Sequence, residues 1–180
     1  MSKRNTKEQV VGHEAGAAPE SARATCGALG LAVLVGTWVA VLDQVTKEWI
    51  RGSMGLHESF CVWSGFFDVT YVKNTGAAWG MFSNHNALLA LLAVVMLGLL
   101  VGFRRRLLPT GRGGDVILGL LCGGIVGNLL DRLRLDYVTD FLDFYVGGWH
   151  WPAFNIADAA ICAAVVFFLV LTWTGRKETE

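Results

Sequence analysis

Charge is what this 180-residue chain has least of: Asp, Glu, Lys and Arg together make up 17% of it, against roughly 25% in an ordinary soluble domain. With 53% hydrophobic residues beside so few charges, the composition points to a membrane. Acidic and basic residues balance at fifteen each, so no net field draws the chain to nucleic acid. The four cysteines (Cys26, Cys61, Cys122, Cys162) are scattered without a CxxC spacing, which argues against a disulfide framework. The four histidines are dispersed and HExxH is missing, so no metal site is expected. GxSxG is missing too, and no serine falls in the apolar runs, which removes an intramembrane serine hydrolase. There is no GxxxxGK[ST] phosphate loop, and no cofactor is expected. What the inventory leaves is carboxylate chemistry.

What is present is organised around four apolar runs: Cys26 to Leu42, Ala87 to Phe103, Val116 to Leu130, and Ala159 to Trp173. Each approaches the roughly 17 to 25 residues that cross a bilayer core, which predicts four transmembrane helices. The first 25 residues mix charges of both signs without an apolar period and read as a disordered tail. The first run passes into a charged amphipathic segment and not a cleavage site, so it is expected to be retained as a span. The predicted organisation is a tail (1–25), a membrane domain (26–174) and a short C-terminal tail (175–180). Four basic residues lie in the first tail, four between Arg104 and Arg112, and two in the last tail. That bias places both termini in the cytoplasm and the segments after the first and third spans outside.

In this topology the misplaced charges gather at one surface. Asp43 and Lys47, four apart on one helical face, end the first span; Asp131 and Arg132 end the third; Asp158 begins the fourth. In the first outer segment, Phe66 to Lys73 is rich in aromatic and β-branched residues and predicts a strand. The NTGAAWGMF that follows signals a turn, with Trp79 able to dip into the interface, so a small extracytoplasmic β-hairpin cap is expected on an otherwise all-α membrane protein. Gly119, Gly123 and Gly127 repeat every four residues, a groove for a neighbouring helix.

The stretch Gly123 to Asp158 then collects carboxylates and amides at the borders of two apolar runs. Asp140 sits in YVTDFLDF, read as an amphipathic interfacial segment, and Asp158 three residues after Asn155. If both face one cavity, burial and mutual repulsion leave them sharing a proton, which is the equipment for hydrolysing an amide. Spacing alone does not choose Asp140 over Asp136 or Asp143, and an aspartate in the first turn of a helix also serves as a cap. A proton-coupled small transporter and a noncatalytic assembly factor remain alternatives at this point. The transporter would place its acidic groups nearer the middle of the bilayer.

In order along the chain, DQVTK (43–47), NTGAAWG (74–80), GGIVGNLLDR (123–132), VTDF (138–141) and FNIAD (154–158) resemble the bacterial lipoprotein signal peptidase family, signal peptidase II, over roughly residues 30 to 173. The resemblance implies an aspartic endopeptidase of the cytoplasmic membrane that removes signal peptides from prolipoproteins just before a diacylglyceryl-modified cysteine. It implies Asp140 and Asp158 as the catalytic pair, with Asp43, Lys47, Asn74, Gly76, Asn128, Asp131, Arg132 and Asn155 shaping or supporting the site. It also implies inhibition by globomycin in the same cavity; substrates are expected to arrive through membrane lipid, and the chain is expected to be a monomer. The chain departs from the family in having Trp79 where Phe is usual, and in the GGWHWP insertion (147–152), whose His150 is read as a bystander.

Overall fold

The computed structural model describes residues 20–76 and 81–177. The expectations placed on residues 1–19, on Trp79 and on 178–180 lie outside the described residues. In order, the elements are α1 (Glu20–Ser53), β1 (Ser59–Trp63), β2 (Phe67–Asn74), α2 (Asn86–Leu107), α3 (Arg112–Leu135), β3 (Val138–Val146), β4 (Trp149–His150) and α4 (Ile156–Lys177). All four helices are long and apolar enough to cross a membrane. Their outward faces carry bare Val, Leu and Trp, such as Trp38, Leu91 and Leu169, the surface expected where lipid is the solvent. Two boundaries differ from those read in the sequence. The helix α1 already begins at Glu20, within the segment expected as a tail, and α4 runs on to Lys177.

The helix α3 is the axis of the bundle, touching α1, α4 and α2 in turn. Its glycines make this possible. A Cβ at Gly119 would stand 2.7 Å from the Ala32 carbonyl oxygen, and one at Gly123 would stand 2.6 Å from that of Gly36, so α1 lies directly against that stripe. Gly124, on the next face, gives α4 the same close approach: its Cβ would meet the Ala157 carbonyl oxygen at 2.5 Å.

The cap is a sheet in the order β1-β2-β3-β4 with antiparallel pairing throughout. The strand read from Phe66 to Lys73 is present as β2. It forms its hairpin with the preceding β1, and its other edge takes β3, the YVTDFLDF segment expected to lie along the interface. A single strand edge in water or at an interface leaves a row of unpaired amides, and joining the two outer segments satisfies them. The glycines of the 147–152 insertion, Gly147 at φ 59° and Gly148 at φ 82°, turn the chain from β3 into β4. Ile50 on the last turns of α1 packs against Tyr71 and Phe141, fixing the sheet on the end of the bundle.

Candidate active site

At the junction of sheet and bundle the structure joins residues from α1, α3, β2, β3 and α4 into one buried polar network. On α1, the i, i+4 pair meets as expected: Lys47 Nζ lies 2.8 Å from Asp43 Oδ2, and both side chains are fully buried. Lys47 also lies 3.4 Å from Asp131 and donates to Asn128 Oδ1 at 2.9 Å. Asp131 in turn accepts the Thr139 backbone N–H at 2.9 Å, which holds the start of β3 over the end of α3. Asp43 accepts the Ala157 N–H at 2.9 Å, an anion placed on the open N-terminus of α4 where the helix leaves donors unpaired. Gly127 keeps room for that carboxylate, since a Cβ there would be 2.5 Å from Asp43 Oδ2.

The start of α4 serves two purposes. Asn155 Oδ1 accepts the Asp158 N–H at 3.0 Å while the Asp158 carboxylate accepts the Asn155 N–H at 3.3 Å, a reciprocal cap. Capping therefore does not exhaust either residue. The other Asp158 oxygen accepts Asn128 Nδ2 at 2.7 Å, and Asn155 Nδ2 donates to Asp140 Oδ1 at 2.6 Å and to Asn128 Oδ1 at 3.1 Å. Asn74 at the end of β2 donates to Asp140 Oδ2 at 2.9 Å, and its own oxygen accepts the Gly76 N–H at 2.9 Å. Arg132 reaches the Gly76 carbonyl at 3.1 Å, tying that loop to α3.

Both carboxylates line a cleft of about 860 Å³. Its polar wall is Asp140, Asp158, Asn128, Asn74 and Arg132; its apolar walls are Val72 and Val138 from the sheet, Ile161 and Cys162 on α4, and Trp151 to Phe154 before it. Asp140 is 1% exposed, whereas Asp158 is half-buried. Burial, reinforced by the nearby Asp158 carboxylate, pushes Asp140 up to about 7 against the opposing pull of hydrogen bonds from Asn74 and Asn155.

The ten residues singled out in the sequence (Asp43, Lys47, Asn74, Gly76, Asn128, Asp131, Arg132, Asp140, Asn155 and Asp158) fall in or directly beside this network. The two aspartates that spacing could not dismiss do not. Asp136 is the left-handed C-cap of α3 at φ 64° and accepts Asn86 Nδ2 at 3.2 Å. Asp143 bonds the Thr70 hydroxyl and the His150 ring on the far side of the sheet. His150 is thus engaged away from the cleft, but the insertion that carries it supplies Trp151 and Pro152 to the cleft wall. Sequence reasoning also missed Arg51, which donates to the Thr139 hydroxyl at 2.6 Å and lies 3.6 Å from Asp131, and Gln44, which donates to Asp131 at 3.1 Å. Their spacing from Lys47, four after for Arg51 and three before for Gln44, was the available signal.

The chain is similar to known proteins over most of its length. The family described as Signal peptidase (SPase) II matches residues 35–174. A lipoprotein signal peptidase of Desulforapulum autotrophicum is 40% identical over 141 residues, covering 76% of this chain and 87% of that protein. One of Geobacter sulfurreducens is 42% identical over 142 residues, 77% of this chain and 88% of that protein. A solved structure described as a bacterial membrane enzyme superposes with a TM-score of 0.76 at 30% identity, covering 84% of this chain and 92% of its own. A second, so described, gives 0.71 at 32% identity. Four membrane-spanning helices, the matched residues and the shared fold make this chain a multi-pass bacterial membrane protein of the signal peptidase II family.

Proposed function

We propose that the chain is a membrane aspartic endopeptidase that cuts the signal peptide from diacylglyceryl-modified prolipoproteins just before the lipidated cysteine, with Asp140 and Asp158 as its catalytic pair. The observation that carries this reading is the pair itself: two carboxylates on one cleft, bridged by the amides of Asn128 and Asn155. Such a pair holds one proton at neutral pH. The proton rests on Asp140, the more buried member, which polarises the scissile carbonyl. Asp158 takes a proton from the attacking water, the tetrahedral adduct forms, and the proton passes to the departing cysteine nitrogen as the C–N bond breaks. The pair ends with one proton, as it began. Asn74 and Asn155 hold Asp140 in place, and Arg132 anchors the loop at Gly76.

The cleft opens between the sheet and α4, at one end of the helices, which suits a substrate that stays anchored in lipid and offers its cleavage point at the bilayer surface. The basic residues of Arg104 to Arg112, at the opposite end, support a cytoplasmic location for that end and for both termini, with the site at the extracytoplasmic face. We further propose that the chain works as a monomer and that globomycin occupies the cleft. The transporter reading is weaker, because the carboxylates lie next to the sheet and not mid-span.

The test is cleavage of a diacylglyceryl-modified precursor by the purified protein, beside the unlipidated precursor and with or without globomycin. Asp140→Asn and Asp158→Asn should each insert normally and lose turnover by a factor of about 10³ or more. Near-normal turnover by either variant removes the assignment of the pair, and equal cleavage of the unlipidated precursor removes the substrate assignment.

A further inference from the structure

A second pocket, of about 480 Å³, is a groove open along the surface of the bundle between α1, α3 and α2. It runs from Ala32 to Val41 on α1 and from Leu118 to Val126 on α3, with Val101 and Arg104 of α2 along its open edge. It exists because α2 packs chiefly on α3, while α1 is drawn in against the α3 glycines, so that the two outer helices stand apart. The nine-residue interval along α1 is about 14 Å at 1.5 Å per residue, close to half the ~30 Å hydrocarbon thickness of a bilayer. The groove is therefore long enough for about one leaflet's length of acyl chain; it begins beside Arg104, at the end of α2 away from the sheet, and ends just short of Asp43.

Its lining carries one charge. Arg104 is half-buried at the end of the groove where α2 leaves the membrane, and its guanidinium is in no ion pair among the described residues. Arg105 and Arg106 follow it, so that rim is cationic with no acidic residue in the lining to answer it. An apolar groove about one leaflet long, closed at its surface end by an unpaired guanidinium, has the shape and charge of one ligand class. We propose that it is a binding site for an anionic phospholipid, one acyl chain lying in the groove and the phosphate paired with Arg104. A guanidinium offers a phosphate two parallel donors, and the partly dehydrated rim strengthens the pair. The bound chain would fill the gap between α1 and α2 and so brace α1 just below its Asp43–Lys47 pair, coupling lipid to the stability of the site without touching its chemistry.

The full chain would be placed in phosphatidylcholine nanodiscs and in nanodiscs doped with phosphatidylglycerol of the same chain length, and the melting temperature and the lipid retained in native mass spectrometry compared. Phosphatidylglycerol should raise the melting temperature by about 5 °C or more and remain as a single bound copy. Arg104→Gln should lose both effects, as should Val33→Trp, which fills the groove from an exposed position; Arg105→Gln, beside the groove and not in its lining, should keep them. Three outcomes would overturn the proposal. They are equal stabilisation by the two lipids, a full effect retained in Arg104→Gln or Val33→Trp, and an effect lost as completely in Arg105→Gln, which would mean diffuse attraction to the basic rim. Precursor cleavage in detergent should match the parent for all three variants, which separates loss of binding from loss of fold.

Discussion

Two pairs of aspartates lie on either side of Asn128, and their surroundings are opposite. Asp43 and Asp131 face Lys47, with Arg51 near Asp131. Asp140 and Asp158 take their hydrogen bonds from amides, those of Asn74, Asn128 and Asn155, with Arg132 in the same cleft wall. An adjacent cation favours the anionic form of a buried carboxylate more strongly than a neutral amide donor does. The first pair therefore makes a rigid brace between α1, α3 and α4. The second is left able to exchange a proton. Asn128 divides them, its oxygen turned to Lys47 and its nitrogen to Asp158.

The contrast can be broken most severely at its cationic half. Lys47→Met leaves Asp43 and Asp131 buried without their shared partner, a change expected to cost about 3 to 5 kcal/mol. The protein should accumulate poorly or melt well below the parent, and a variant of ordinary stability would mean the brace is not held by charge. Next comes the packing beneath it. Gly123→Ala drives a Cβ to 2.6 Å from the Gly36 carbonyl, and overpacking of this kind costs about 1 to 3 kcal/mol. Thermal unfolding in detergent reads this effect, and an unchanged midpoint would show that α1 can move off α3.

The amide-bound half should respond in the opposite direction. Folded Asp140 holds its proton up to about 7, against an ordinary 3.8, so it binds the proton more tightly than the unfolded chain does. Its contribution to stability is accordingly full below about pH 4 and is lost as the pH rises through 7. Asp140→Asn should then be more heat-stable than the parent at pH 8 and lose that advantage in acid, even though its turnover is expected to be lost. A destabilised Asp140→Asn at pH 8 would place Asp140 with the brace. The smallest effect is on the pH profile. Turnover should fall on the alkaline side as the pair loses its proton near pH 7. Asn74→Ala, which removes a hydrogen bond that favours the ionised Asp140, should move that limb to higher pH. A limb that stays in place, or shifts to lower pH, would mean that the titrating group is not Asp140.

The four spans were legible because burial in lipid demands long apolar runs, and run length survives in the sequence whatever the packing. The glycine repeat was legible for a related reason: only absent side chains let helices approach so closely. Asp43 and Lys47 could be paired because a helix fixes what lies four residues away. The family motifs carried the rest of the candidate site, but composition and spacing could not separate Asp140 from Asp136 and Asp143. Strand pairing did that. With β3 against β2, Asp140 faces Asn155 and the cleft, Asp143 turns to Thr70 and His150, and Asp136 remains outside the sheet as a helix cap. Sequence by itself thus determined which segments enter the membrane and which residues share a helical face, because both follow from local geometry. Which carboxylate meets Asp158, and that the 147–152 insertion walls the cleft, only the tertiary structure decided, because the partners are set by strand register and by contacts between segments far apart in the chain.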